Sequence, residues 1–360
     1  MGRSSTGKNK AEKVNLTSRK EKVSPIKPLR LIFPRIEKEE LRDVGRAIIL
    51  EYSIWIVLFG VVMTFSALTD KFLTSTNLLN ILLHSSVMGV VAIGESICLL
   101  SGKFDLSVGS TVGVTGALGA WLMVTGQPAA SGWALPPIPV ILIVLVVGMG
   151  IGYCNGFFVA RIGMNPLLTT LATMIFLRGM ALIVTSGQSL YSLPFLYRFL
   201  GGGAIGRIPA AVVVAAILYS IFYFILTQKK IGRHIYIVGG NPDAARAGGI
   251  NVENIIIYAY VMSGLLAAVG GILLSGRLNS AQTIAGQGME LEVIAASVIG
   301  GISLYGGRGS LVGTIAGVLL INSIRTGLVL LDVPAFWIRC TTGLIILLAI
   351  LIDTLKVRFR

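Results

Sequence analysis

Charged residues are scarce in this chain, and their scarcity excludes a soluble globular protein. They make up 13% of the 360 residues, whereas a soluble domain carries about 25%. Cysteine and histidine are rarer still. Cys98, Cys154 and Cys340 lack the paired spacing of a disulfide framework or a thiolate metal site. His84 and His234 are far apart and have no ligand cluster around them, so we expect no metal site and no catalytic constellation.

Long apolar runs fill most of the chain. Hydrophobic residues make up 54% of it, and the mean hydropathy is +0.83. Runs of about 18 or more apolar residues are typical of membrane-spanning helices, and their continuity disfavours a β-barrel, whose strands are short and alternate. We therefore predict an all-α polytopic membrane protein with about ten transmembrane helices. The predicted segments are 48–69, 78–100, 106–125, 138–161, 164–187, 209–227, 255–275, 290–305, 310–330 and 335–352.

Basic residues indicate the orientation, because Lys and Arg are enriched in cytoplasmic loops. With a cytoplasmic N-terminus, the inside loops contain most of the basic residues, and both termini are predicted to be cytoplasmic. The net charge of +14 therefore reflects topology and does not indicate a nucleic-acid partner. Residues 1–47 form a basic tail, which we predict to be disordered or to lie on anionic membrane lipid. The inside set is the tail, Arg161, Lys229, Lys230, Arg233, Arg246, Arg308, Lys356, Arg358 and Arg360; the outside set is Lys71, Arg198, Arg207 and Arg277.

One cytoplasmic loop, residues 228–254, is too long for a simple connector. Asn241 is a candidate N-cap, Pro242 suits the first helical position, and Asp243 lies beside the positive end of the helix dipole. Residues 244–247 favour a helix, and Gly248-Gly249 is a stop signal. A short, capped helix outside the membrane is predicted, made to be gripped by a partner, although a connecting role is the simpler alternative.

Polar residues within the predicted spans are candidates for function, because ionisable groups are costly there. Glu95 lies deep in the second span, and Asp105 and Ser107 lie at a break in "SGKFDLS". We predict that they form a polar corner of a translocation pathway. The alternative is that Asp105 caps the third span by accepting from the N–H groups of residues 107–108, and Lys103 is a candidate charge partner.

A second polar stripe is predicted in "NPLLTTLATM". Asn165, Thr169 and Thr173 are spaced by four and share one helix face. They are candidates for the pathway, as is Asn155; the alternative is that the threonine hydroxyls bond carbonyls of their own helix. Glycines that recur every four residues predict close helix contacts, with dimer contact as the alternative. These glycines are Gly148, Gly152, Gly156, Gly309, Gly313 and Gly317.

Three stretches resemble the permease subunits of monosaccharide ABC importers, the ribose, galactose and arabinose permease family. "IGRHIYIVGGNPDAARAGGINV" resembles the cytoplasmic coupling loop of that family. "LLSGKFDLSVGSTVGV" resembles its Gly-x-x-Asp-Leu-Ser-x-Gly-Ser segment, with Lys103 where many members have Gly. "GMELEVIAASVIGGISLYGGRGSLVGTIAG" resembles its C-terminal signature. The likeness covers about residues 50–355 and defines a permease domain over 48–355, after the basic tail.

The resemblance implies an ATP-driven importer in the bacterial cytoplasmic membrane. Two permease copies would surround the pathway for a monosaccharide, polyol or furanoside that a periplasmic binding protein delivers. Cytoplasmic ATPase subunits would bind ATP and Mg, so the chain itself needs no cofactor and is not an enzyme. "GRSSTGKN" at residues 2–9 approaches a phosphate-binding loop, but Asn9 replaces the hydroxyl that would hold magnesium. The residues implied to engage the ATPase are Asn241, Pro242, Asp243, Ala244, Ala245 and Arg246.

Two other classes of protein remain open on the residues alone. A secondary transporter could use Glu95 or Asp105 as a proton site. An intramembrane enzyme is the weaker alternative, because no catalytic constellation is recognisable. The capped cytoplasmic helix favours the importer, since a secondary transporter has no ATPase to engage.

Overall fold

The computed structural model describes residues 54–358. The predicted tail (residues 1–47) and the stretch at 2–9 lie outside the described residues. The longer helices are α1 (Ile54–Leu68), α2 (Ser75–Leu100), α3 (Val108–Met123), α4 (Pro137–Ala160), α5 (Pro166–Val184), α7 (Ala210–Gln228), α10 (Val252–Leu278), α12 (Leu311–Leu330) and α13 (Ala335–Arg358). The shorter helices are α6 (Phe195–Gly202), α8 (Lys230–Gly240), α9 (Pro242–Ala247) and α11 (Met289–Ile299).

Two small antiparallel pairs of strands join loops between the helices. Strand β1 (Leu190–Tyr191) pairs with β4 (Ser280–Ala281), so that Leu190 is opposite Ala281. Strand β2 (Ala204–Ile205) pairs with β3 (Ile208–Pro209) in a tight hairpin. The described chain is otherwise helices and turns.

Six helices of the described chain are long and apolar enough to cross a membrane: α2, α4, α5, α7, α10 and α12. Helix α1, helix α3 and the apolar part of α13 are shorter. The predicted segment 290–305 corresponds to α11, which has 11 residues and is too short to cross alone, since about 20 are needed. Every predicted segment contains a helix, and six of these helices have the length and composition of a full crossing.

Helices α2 and α10 form the centre of the fold, because 83% and 67% of their most apolar windows are buried. Helix α10 packs on α2, α3, α4 and α6. The corresponding windows of α4, α5 and α7 are only 22–28% buried. Their exposed faces are apolar, which suits contact with lipid.

Glycines allow the closest helix contacts, as the four-residue spacing predicts. A Cβ at Gly152 would overlap the Tyr260 carbonyl oxygen of α10, and one at Gly156 would press on Ile257. On α12, Gly313 and Gly317 lie in the same way against the backbone in and just after α11. The prediction is wrong for Gly309, which lies in the loop before α12 and not on its glycine face. These contacts form within one chain, so the dimer alternative is not needed to explain them.

Candidate functional site

A buried polar network surrounds the break between α2 and α3. Glu95, Asp105 and Ser107 are each at most 1% exposed. The Asp105 N–H donates to Glu95 Oε1 at 3.3 Å, and the Ser107 N–H donates to Asp105 Oδ1 at 2.9 Å. The Ser107 hydroxyl donates to the same Asp105 oxygen. The structure therefore brings these three predicted residues together.

Helices α4, α5 and α10 complete the network. Asn155 Nδ2 donates to Ser107 Oγ at 2.9 Å, and the Thr173 hydroxyl donates to Asn155 Oδ1 at 2.7 Å. From α10, the Ser263 hydroxyl donates to Asp105 Oδ2 at 3.0 Å. One continuous set of hydrogen bonds thus joins five helices at the break, and Ser263 is a member that sequence reasoning missed.

Local geometry explains why the chain breaks here. Helix α2 ends at Leu100, and Gly102 adopts a positive φ of 75° that favours glycine. Asp105 accepts from the Ser107 N–H, but the Val108 N–H lies 3.5 Å from the Asp105 carbonyl oxygen instead. The predicted cap therefore holds for residue 107 and not for residue 108. Lys103 forms no ion pair with Asp105 among the described residues.

Glu95 is the member of the network that belongs to α2. Its Oε2 atom is buried and has no hydrogen-bond partner among the described residues. Burying an unpaired polar atom is costly. Packing alone therefore does not explain why a carboxyl group is present at Glu95.

The second predicted stripe lies mostly outside this network. Asn165 is exposed and caps α5 by accepting from the N–H groups of Leu167 and Leu168. Thr169 is buried, but its hydroxyl donates to the Asn165 carbonyl oxygen at 2.8 Å. Both therefore serve their own helix, as the alternative reading expected, whereas Thr173 also reaches the network. A role of Asn165 and Thr169 in the pathway stays a prediction.

The predicted cytoplasmic helix is present as α9. Asn241 accepts from the Asp243 and Ala244 N–H groups at 3.0 and 2.9 Å, and the helix ends at Gly248. Ala245 corrects one expectation: it is 1% exposed and packs into the core of its own chain. It anchors the helix and leaves Pro242, Asp243, Ala244 and Arg246 exposed.

Helix α8, which precedes α9, was not foreseen as a separate element. Ile235 and Val238 are fully buried, and the helix packs on α2, α7 and α10. Tyr236 donates to the Gly309 carbonyl oxygen at 3.0 Å. Burial raises the pKa of Tyr236, so the hydroxyl keeps the proton that it donates. The loop 228–254 is thus a folded pair of helices.

A glycine junction connects α8 to two other segments. It consists of Gly239, the Leu100 carbonyl at the end of α2, and Gly307 in the loop before α12. The Gly307 N–H donates to the Leu100 oxygen at 2.9 Å. A Cβ at Gly239 would overlap that same oxygen. A Cβ at Gly240 would meet only the Cα atom of Gly307, at 4.0 Å. The absence of a side chain at Gly239 therefore permits three backbone segments to meet.

A cavity of about 1070 Å³ lies near the N-terminal end of α2, among α2, α10, α11, α12 and α13. Its polar lining includes His84, Arg277, Glu292, Asn322 and Arg325. None of the predicted pathway residues lines it. The rule that singled out Glu95 would also have found Glu292 and Arg325, since both fall within predicted spans.

An arginine missed by the sequence analysis fixes the turn before α11. Arg178 on α5 donates to the carbonyl oxygens of Ala285 and Gly286 at 2.7 and 2.8 Å. Its guanidinium also lies 3.7 Å from Glu290 Oε2. A Cβ at Gly109 would overlap that carboxylate, so α3 needs glycine where Glu290 packs. Arg178 thereby links α5 to the start of α11.

These features define a helical membrane protein with internal polar networks and a folded helix pair between two of its membrane-length helices. The chain matches the family "Branched-chain amino acid transport system / permease component" over residues 77–352, and it belongs to that family. It is a transport component of the bacterial inner membrane and not an enzyme.

Several relatives agree with the resemblance found in the sequence and confirm it. The ribose import permease protein RbsC of Haemophilus influenzae is 36% identical over 315 residues, covering 86% of this chain and 95% of the relative. RbsC of Bacillus subtilis is 36% identical over 83% of this chain and 91% of its own. The D-allose transport system permease protein AlsC of Escherichia coli is 32% identical over 85% and 92%. No solved structure gives a significant match to the chain.

Proposed function

We propose that this chain forms the translocation pathway of an ATP-driven importer for a monosaccharide or a related polyol or furanoside. In this proposal a periplasmic binding protein delivers the sugar, and cytoplasmic ATPase subunits engage α9. The proposal places both termini and α9 on the cytoplasmic side, because Lys229, Lys230 and Arg233 make the segment around α9 basic. The observation that carries the proposal is α9 itself, an exposed helix whose ends and anchor are specified by its own sequence.

The exposed residues of α9 form a compact contact surface. Asp243 and Arg246 pair at 3.0 Å, with 93% and 55% of their side chains exposed. An isolated six-residue helix would not be stable in water. The Asn241 cap and the buried Ala245 keep it folded, so a partner meets a preformed surface and loses little entropy on binding.

The glycine junction offers a route from α9 to the membrane interior. Helix α8 lies between α9 and the end of α2. Ser96 lies on α2, six residues before Gly102. Its hydroxyl lies 3.2 Å from the Ser297 hydroxyl on α11 and 3.1 Å from the Thr314 hydroxyl on α12. A displacement of α8 would therefore act on the break between α2 and α3 and on the loop between α11 and α12.

We infer a second copy of the chain from the exposure of Arg325 beside the cavity. Arg325 is 50% exposed at the level of membrane-length α12. Charged side chains at that depth face protein or water and not lipid. A second permease copy against α12 and α13 would enclose the cavity, consistent with a dimeric pathway.

The test uses cytoplasmic variants in the assembled transporter. Asp243→Leu and Arg246→Leu are expected to abolish ATPase-driven uptake while the permease is still inserted at its normal level. Gln228→Leu, at the exposed end of α7, is the matched control and is expected to behave like the wild type. Normal coupling in both α9 variants would contradict the proposed contact with the ATPase.

A further inference from the structure

We propose that the 1070 Å³ cavity is a transient sugar-binding site within the permease itself, and that Glu292 and Arg325 bind the hydroxyl groups of the sugar. This inference rests on the proposed function. It adds that the permease has its own selectivity and is more than a passive channel behind a selective binding protein.

The cavity lies at the opposite end of α2 from the glycine junction. Its α2 lining runs from Asn77 to His84, whereas the junction is at Leu100. At 1.5 Å per residue, sixteen residues separate His84 from Leu100 by about 24 Å. With α9 on the cytoplasmic side, the cavity faces the side from which sugar arrives.

Glu292 and Arg325 present complementary chemistry on one wall. Their closest atoms are 3.4 Å apart, longer than the roughly 2.7–2.9 Å of a strong charge-assisted bond. The Glu292 carboxylate has further sites to accept hydrogen bonds, and the Arg325 guanidinium has further N–H groups to donate, beyond those used between the two side chains. Neighbouring sugar hydroxyls, each both donor and acceptor, match this pair.

A second pair of polar groups extends the site across α2 and α10. His84 Nδ1 lies 3.1 Å from the Arg277 guanidinium. His84, Arg277, Glu292 and Arg325 all line the same cavity, so the two pairs face one volume. Asn322, 4% exposed on α12, adds an amide to the same lining. The cavity therefore offers hydrogen-bonding groups to several hydroxyls of one solute at the same time.

Two further properties favour transit of a sugar over tight storage. The volume exceeds the range of about 300–1,000 Å³ that is usual for small-molecule sites, so a sugar would share the cavity with water. Among the described lining residues there is no Phe, Tyr or Trp to supply a large contact area. Weak binding suits a site that must release its solute toward the next part of the pathway.

The charge balance restricts the class of solute. The described lining contains Arg277, Arg325 and Arg339 but only one carboxylate, Glu292. A net positive cavity disfavours cations and accepts neutral sugars. Amino sugars are therefore expected to be excluded, whereas uncharged pentoses and hexoses enter.

The experiment measures sugar binding by the permease without its binding protein. Purified wild type in nanodiscs is probed by ligand-observed saturation-transfer NMR with D-ribose, D-allose, D-xylose and D-galactose, and with D-galactosamine as the cation. At least one neutral sugar is expected to give a signal and galactosamine none. Glu292→Gln and Arg325→Gln are expected to reduce the signal and the transport rate about tenfold or more, the loss typical of one hydrogen bond to a charged group. Gln228→Leu, at the exposed end of α7 and outside the cavity lining, is the control and should match the wild type.

A second measurement protects the test against variants that do not fold. Thr342→Cys on the cavity wall is labelled with a thiol reagent, and the sugar is expected to slow the labelling. The inference is overturned by the following result. The assembled wild type imports a sugar, but that sugar does not slow the labelling, and its NMR signal is unchanged in the folded Glu292→Gln and Arg325→Gln variants. A wild-type assembly that imports no sugar would instead overturn the proposed function.

Discussion

Removing the Asp105 carboxylate is expected to destabilise the fold, and replacing it with an amide is not. Asp105 accepts from the Ser107 N–H, the Ser107 hydroxyl and the Ser263 hydroxyl, and all three groups are buried. Asp105→Ala leaves these donors without their partner. Asp105→Asn keeps an oxygen for Ser107 and brings an amide that can donate to Ser263.

The magnitude follows from the number of unpaired groups. A buried donor without a partner costs about 1–3 kcal/mol, but the hydroxyls can turn toward carbonyls of their own helices. Asp105→Ala is therefore expected to cost about 2–4 kcal/mol, and Asp105→Asn less than about 1 kcal/mol. Asn165→Ala provides a scale, because it removes an exposed cap worth about 1 kcal/mol.

Thermal unfolding in one detergent ranks these variants directly. The expected order of stability is wild type and Asp105→Asn together, then Asn165→Ala, then Asp105→Ala. An Asp105→Ala protein as stable as the wild type would refute the claim that this hydrogen-bond network stabilises the segment between α2 and α3. An Asp105→Asn protein that folds but does not transport would show that the charge itself acts in the pathway, as the sequence suggested.

Three further predictions concern two glycine contacts and Arg178 on α5. Gly152→Val should prevent α4 from packing on α10 and lower the yield of folded protein, whereas Gly150→Val, with open space around it, should not. Gly239→Ala should leave ATPase binding intact but uncouple hydrolysis from uptake, because the new methyl group displaces the end of α2; Gly240→Ala is its control. Arg178→Gln should lower stability by about 1–3 kcal/mol, measured by thermal unfolding, since the turn before α11 loses a charged donor.

The features that sequence analysis predicted best are those determined by neighbouring residues. Helix α9 is a clear case: Asn241, Pro242 and Gly248 lie within about two turns of each other, and the structure shows the cap and the stop where they were expected. The glycine faces of α4 and α12 were predictable for the same reason, since a four-residue spacing defines one side of a helix.

The polar network was only partly predictable, because its members come from distant parts of the chain. Asp105 and Asn155 stand out as polar residues in apolar runs. Ser263 does not stand out, since a single serine in a membrane helix usually bonds its own backbone. Only the packing of α10 against the break brings its hydroxyl to Asp105.

The cavity shows a different limit. Glu292 and Arg325 are ionisable residues in predicted spans and satisfy the rule that selected Glu95. Arg277 was assigned to an outside loop, although it forms part of the last turn of α10. Charges near the ends of spans can belong to loops or to cavities, and only the three-dimensional arrangement distinguishes them.

The most direct test of the account is sugar uptake into proteoliposomes that contain the permease, its ATPase and its binding protein. We predict uptake of a monosaccharide only when ATP and all three components are present, with no effect of a protonophore. Uptake by the permease alone, abolished when the proton gradient is collapsed, would contradict the account and would favour a proton-coupled carrier with Glu95 as its proton site.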